Sequence, residues 1–276
     1  MKTHPSRRPR RVSRRILAAT IGFTSFIAAC GGDGDAGSEP DRGASQPAPT
    51  NGGGQGSDAP GATSGGQDGT ADGAPKRGGV LRVVHTSTPS RLDPHTATSG
   101  FDHYVLYPMF DRLVHFDANM SPIPGLAESW ESPDDRTLIL HLREGVTFHD
   151  GTPLNAEAVI YNLNRGLTLP DSAVAVDIES IESMEAIDDL TVKLNLNRPD
   201  SALVLNLSDK AGMMVSPTAA ERLGDDFQSA PVGAGPFKFV EYVPGESLKL
   251  EAYEDYYLEG LPYLDGMEFT IRSEEH

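Results

Sequence analysis

The chain has 276 residues, 23 Lys and Arg against 40 Asp and Glu, and a formal net charge of −17. An acidic surface of that size repels nucleic acid phosphates and anionic membrane surfaces, so nucleic acid is not an expected partner. One cysteine, Cys30, leaves no pair for an internal disulfide and no thiolate cluster for a metal.

Seven of the basic residues lie in the first 30 positions, which contain no acidic residue. Arg7-Arg8-Pro9-Arg10-Arg11-Val12-Ser13-Arg14-Arg15 is followed by an apolar run from Ile16 to Ala29 and then Cys30. Basic n-region, apolar h-region and small residues before a cleavage point make a secretory signal. The run is shorter than the roughly 20 residues a helix needs to cross a bilayer. Ile27-Ala28-Ala29-Cys30 resembles a bacterial lipobox, in which the cysteine thiol is lipidated and becomes the new N-terminus. A plain signal peptide with an incidental cysteine is the alternative. Ser13-Arg14-Arg15-Ile16-Leu17 also resembles a twin-arginine export motif, so general and twin-arginine export both stay open.

Residues 31–76 contain 14 glycines and no aromatic or branched aliphatic residue. Such a segment cannot bury enough apolar surface to offset chain entropy, and a disordered linker is expected. Order is expected from about Arg77. Gly79–Val84 reads as a strand. Phe101, Val105, Met109 and Leu113 recur every four residues and predict a helix, kinked at Pro108. Thr137–Arg143 reads as a strand. Asn155 caps a predicted helix with Ala156, Val159, Ile160 and Leu163 on one face. Thr191–Leu196 alternates with period two and predicts a half-buried strand. Ser216-Pro217 opens a short helix that Gly224 closes. Phe237–Tyr242 and Ser247–Tyr253 flank the turn Val243-Pro244-Gly245-Glu246 and predict a hairpin, and Met267–Arg272 is a last strand. The irregular interleaving argues for a mixed α/β domain.

The block from Gly125 to Arg165 carries Gly-Leu-Ala-Glu-Ser-Trp-Glu and then Thr-Leu-Ile-Leu-His-Leu-Arg-Glu-Gly-Val-Thr-Phe-His-Asp-Gly-Thr-Pro-Leu-Asn-Ala-Glu-Ala-Val. It resembles the signature of the extracellular solute-binding proteins of family 5, the peptide- and nickel-binding components of ABC importers. Ser90-Arg91-Leu92-Asp93-Pro94-His95, Asp188-Asp189-Leu190-Thr191-Val192, Pro231–Phe239 and Leu261-Pro262-Tyr263-Leu264-Asp265-Gly266 fit the same family in the same order. Departures are Ala234 and Phe237 for the usual Thr and Tyr, Tyr242 where Trp is common, and Ala158 for an acidic residue.

The resemblance implies a periplasmic-binding-protein-like bilobal class II fold, of which this chain holds only the first lobe. Residues 77–112 and 219–276 then form one subdomain and 113–218 an inserted one, with the chain ending at Glu274-Glu275-His276, before the second lobe. It implies a lipid-anchored, extracytoplasmic substrate-binding component that captures oligopeptides or a related small solute and hands it to ABC permease subunits. An extracytoplasmic sensor or adhesion lipoprotein reusing the fold is the alternative. By position-for-position match, Thr98 and Gly100 contact the solute. Gly233-Ala234-Gly235 lets a backbone come close to something; a tight turn accounts for it equally, and the resemblance favours a loop facing the solute cleft. A Gly235→Trp change is then expected to fill space that a ligand backbone needs.

No catalytic residue, metal or cofactor is expected. His141 and His149-Asp150 lack metal-ligand spacing, and no Ser-His-Asp, paired-carboxylate or phosphate-loop arrangement is evident. Trp130 is expected to pack in the core, and Tyr253, Tyr256 and Tyr257 to pack under the following Leu-Pro-Tyr loop, with the lining of a cleft as the alternative.

Overall fold

The computed structural model describes residues 75–272. The expected signal segment with Cys30, and the expected linker up to residue 74, lie outside the described residues, as do Glu274, Glu275 and His276.

Two four-stranded sheets organise the described chain. The first has the order β1 (Val80–His85), β10 (Gly266–Ile271), β9 (Ser247–Ala252), β8 (Phe237–Val243). β1 runs parallel to β10, and the other neighbours are antiparallel. The second is antiparallel, with the order β4 (Ala127–Asp134), β5 (Thr137–Leu142), β7 (Thr191–Leu196), β6 (Ile181–Asp188). A short ribbon pairs β2 (Val114–Phe116) with β3 (Pro122–Pro124).

The central strands of the second sheet form where alternation is cleanest. Leu138, Leu140 and Leu142 of β5 and Val192, Leu194 and Leu196 of β7 are buried, while the residues between them are partly exposed. Their buried side covers helix α2 (Ala156–Thr168), whose Ala156, Val159 and Leu163 join the same core. Each fully buried Leu or Val there contributes about 1.5–3 kcal/mol. Asn155 starts α2 by accepting a hydrogen bond from the Ala158 N–H at 3.0 Å. Trp130, partly buried, packs against this core.

A second core gathers Leu92, Val105, Leu106, Met109, Phe110, Met213, Val215, Phe227, Leu248, Leu250 and Phe269. It lies between the first sheet and helices α1 (His103–Met109) and α4 (Pro217–Leu223), the latter being the predicted Pro-first, Gly-last helix. Asn162 of α2 ties the helix to the strand-like segment at Val215: its amide donates to Val215 O and accepts from Val215 N–H.

Two expectations change. The helix predicted over 101–113 is α1, which stops at Met109, one residue after Pro108. Phe110 is already extended, Leu113 bonds Gly212 O, and Phe101 sits exposed in a preceding 3-10 turn. Pro108 ends the helix rather than kinking a longer one, as its missing N–H and ring sterics permit. β4 and β6 were not apparent in the sequence. Both are edge strands, carrying Glu128, Glu131 and Asp134 or Glu182, Glu185 and Asp188, and both contain register irregularities. Charge and bulges are the devices that keep sheet edges from pairing with other chains, and they erase the alternating pattern.

Candidate functional site

The loop from Ala97 to Gly100 begins with an Asp-Pro turn. Asp93 accepts from the His95 N–H through its side chain and from Thr96 and Ala97 N–H through its carbonyl. Arg165, one turn from the end of α2, reaches across 72 residues and grips both Asp93 carboxylate oxygens in a fork, at 3.0 and 2.5 Å. Burial pushes the Asp93 carboxyl upward, but the Arg165 hydrogen bonds and charge outweigh it and hold Asp93 below the usual carboxylate range. The same guanidinium donates to His95 Nδ1 at 2.8 Å, and His95 Nε2–H donates to Met213 O at 3.2 Å. That pattern requires the neutral ring. Complete burial lowers the His95 pKa to about 4, and Arg165 adds to the shift against the opposing charge of Asp93.

Beyond this anchor the loop is held by Asp102, which is fully buried. Its carboxylate accepts from Ser90 N–H at 2.7 Å, Ser90 Oγ–H at 2.5 Å and Ser99 N–H at 2.9 Å. Ser90 Oγ in turn accepts from Thr98 N–H. Ser99 and Asp102 form a reciprocal cap at the start of the 3-10 turn that leads into α1. His103 continues the network, bonding Gly100 O through Nδ1 and the Asp209 carboxylate through Nε2.

Three polar groups of the loop remain. Thr98 and Gly100 are exposed, and among the described residues Thr98 C=O, Thr98 Oγ1 and Gly100 N–H have no hydrogen-bond partner. In a planar trans peptide the C=O and N–H point opposite ways. With the Ser99 N–H held by Asp102, the Thr98 C=O is turned away from the buried carboxylate. The surface therefore offers one backbone acceptor, one backbone donor and a hydroxyl within three residues. Beside it lie the exposed rings of Phe101 and Tyr104, both packed against His85.

The Gly233-Ala234-Gly235 loop sits elsewhere. All three residues are buried. A Cβ on Gly233 would lie 2.1 Å from Met109 O, and one on Gly235 would lie 2.5 Å from Pro108 O. The close approach that these glycines permit is to the last turn of α1. Their polar groups are also taken: Gly235 N–H bonds Met109 O, His149 N–H bonds Gly233 O, Gly233 N–H bonds His149 Nδ1, and His149 Nε2–H bonds Gly235 O. His149 is the neutral staple of this turn. Burial lowers its pKa to about 4, with the Lys238 charge in the same direction and the Gly235 bond and Asp150 opposing. A Gly235→Trp change collides with the α1 backbone, so it probes this packing and not solute space.

α1 separates the two loops. Gly100 precedes its first turn and Gly235 abuts its last, and seven residues of helix amount to about 10 Å. Of the tyrosines expected to pack, Tyr253 is buried, with its hydroxyl bonded to Phe148 O, while Tyr256 and Tyr257 are half-buried and Tyr256 bonds the Asp111 carboxylate. Burial, followed by the Asp111 charge, pushes the Tyr256 hydroxyl far up. His141 lies at the surface beside Glu131. Among the described residues no group of three His, Cys, Asp or Glu is placed to hold a metal, and no helix is long and apolar enough to cross a membrane.

Sequence reasoning missed Asp102, His103 and Lys210 as makers of this loop. The Ser99-x-x-Asp102 spacing of the cap was a readable signal. Lys210 had none, because more than a hundred residues separate it from the loop it touches.

Residues 121–276 match the bacterial extracellular solute-binding proteins, family 5 Middle. The chain belongs to that family. Among curated family 5 relatives, it is 38% identical over 183 residues to the glutathione-binding protein GsiB of Pectobacterium atrosepticum, covering 66% of this chain and 36% of that protein. It thus spans about a third of the length of the curated relatives it matches. Among solved structures it resembles the binding protein MoaA of A. tumefacien R10 in complex with mannopinic acid, with 31% identity and a TM-score of 0.67 over 73% of this chain and 42% of that one. It also resembles the periplasmic binding protein DppA of Helicobacter pylori in complex with the peptide STSA, with 28% identity and a TM-score of 0.64 over 71% and 43%. The mixed α/β architecture is that of the periplasmic binding proteins, and it corresponds to part of one.

Proposed function

We propose that this chain supplies one wall of the solute site in the substrate-binding component of an ABC importer, and that the solute is a peptide or a peptide-like molecule such as glutathione. The observation that carries the reading is the Thr98–Gly100 loop. Every other backbone polar group from Thr98 N–H to Gly100 O is fixed by the protein, and the remaining acceptor and donor match what a peptide backbone presents. Similar proteins named for glutathione binding, or solved with the peptide STSA or with mannopinic acid, support the solute class. We assign Thr98 and Gly100 to the solute, and Gly233, Ala234 and Gly235 to the support of α1. The solute passes from this component to membrane permease subunits.

Cys30 anchors the protein to the outer side of the cytoplasmic membrane by its lipidated thiol, in this reading. A Cys30→Ser variant expressed in a bacterial host is expected to move from the detergent phase to the soluble fraction; retention in the detergent phase contradicts the anchor. Binding is tested by titrating the chain with glutathione and short neutral peptides. Two backbone bonds and a hydroxyl on an open surface bury little of a ligand, so the expected affinity is in the millimolar range, about −4 kcal/mol.

A further inference from the structure

We infer that Lys210 is a positioning residue for the solute-facing loop, setting the direction of the Gly100 N–H; this rests on the assignment of Thr98 and Gly100 to the solute. Lys210 follows helix α3 (Leu203–Asn206) in a short 3-10 turn, and only 9% of it is exposed. Its ammonium donates to Ala97 O at 2.9 Å and Ser99 O at 2.8 Å, the two carbonyls that flank Thr98.

The consequence follows from peptide geometry. Ser99 C=O and Gly100 N–H belong to one planar trans unit and point in opposite directions. Holding Ser99 O inward on the Lys210 ammonium therefore turns the Gly100 N–H outward. Among the described residues the only other bond to Ser99 O is from Asp102 N–H, at 3.2 Å within a 3-10 turn. Ala97 O is fixed the same way, and its peptide partner Thr98 N–H bonds Ser90 Oγ. Lys210 thus acts on the carbonyl side of the loop as Asp102 acts on its N–H side. The two side chains hold it with opposite charges, one buried ammonium and one buried carboxylate, and leave the Thr98 C=O facing away from Asp102 and the Gly100 N–H facing away from Lys210.

A lysine suits the task because its compact ammonium has three donors that turn freely on a flexible stem. Two carbonyls at different heights on one loop are within reach of a single head group, and the bonds are charge-assisted. Nothing else in the described chain donates a side-chain hydrogen bond to either carbonyl.

The test combines amide hydrogen exchange with the glutathione titration, on the full chain and on two variants. Lys210→Met, which has no donor, is expected to speed exchange at Thr98 and Ser99 at least tenfold while β5 and α2 keep their protection. Lys210→Arg, which keeps charge and donors, is expected to stay within threefold of the parent. If Lys210→Met loses protection throughout, Lys210→Gln, with a shorter neutral donor, replaces it, and an increase of at least threefold confined to residues 97–101 is expected. Unchanged exchange at Thr98 and Ser99 in a folded Lys210→Met or Lys210→Gln chain overturns the inference. In the titration, Lys210→Met is expected to weaken the glutathione response at Gly100 at least tenfold and Lys210→Arg to preserve it. An undiminished response in a chain with a loosened loop overturns the positioning role. No response at Thr98 or Gly100 in the parent overturns the solute assignment instead, and the exchange data still decide whether Lys210 holds the loop.

Discussion

An Arg165→Met chain is expected to be about 3–5 kcal/mol less stable than the parent, the largest single loss in the described structure. Arg165 and Asp93 are both nearly buried, with side chains 12% and 8% exposed. Removing the guanidinium leaves a carboxylate stranded in the interior, an Nδ1 of His95 without its donor, and the Asp-Pro turn without its external tie. Domains of this size are stable by about 5–15 kcal/mol, so the variant should unfold at a much lower urea concentration. Arg165→Lys keeps the charge but not the two-pronged fork and should fall between. Removing both charges in Asp93→Leu with Arg165→Met should recover part of the loss, because no charge is left unpaired. A single-variant loss under 1 kcal/mol, or a double variant no better than Arg165→Met, contradicts the network.

Acid should destabilise the fold well above the usual carboxylate range. His95 and His149 have pKa values of about 4 in the folded chain against 6.5 in an unfolded one. Above pH 6.5 both are neutral in either state, and they impose no penalty. As pH falls from 6.5 toward 4 only the unfolded chain takes up their protons, so stability is lost across that window and the loss is complete below the folded value. From pH 7 to pH 5 each ring accounts for roughly 2 kcal/mol, or about 4 kcal/mol together. Protonation in place is opposed by burial in both cases, and by Arg165 beside His95 and Lys238 beside His149. Urea unfolding at pH 7, 6 and 5 measures the loss. His149→Gln, which keeps a donor for Gly235 O, should remove about half of the slope; an unchanged slope means that the ring is not buried in the neutral form.

What the sequence disclosed depended on how local each cause was. β5, β7, α2, α4 and the β8–β9 hairpin follow from alternation, an Asn or Ser cap and a Pro-Gly turn, all visible within a dozen residues. β4 and β6 were hidden because their charges answer to a position at the sheet edge, which only the assembled sheet defines. The family signatures were legible as patterns but their physical reasons were not. Asp93 of the Leu-Asp-Pro segment and Arg165 at the end of the longest block turn out to be ion-pair partners. His149 of the Phe-His-Asp-Gly turn staples Gly233 to Gly235. The double glycine fitted a tight turn or a loop facing the solute cleft equally well from its residues, and its close approach is to α1. Thr98 and Gly100 remain open to solvent; Asp102 shapes them from three residues away, but Ser90 and Lys210 act through contacts of 8 and 113 residues in sequence.

The most direct measurement is a glutathione titration followed amide by amide in the NMR spectrum of the parent chain. The Thr98–Gly100 surface predicts saturable shift changes centred on Thr98, Ser99 and Gly100, in the millimolar range, with Gly233–Gly235 moving little. Shift changes that cluster elsewhere and leave Thr98 to Gly100 unmoved would contradict it, as would the absence of any saturable response to glutathione or to short neutral peptides.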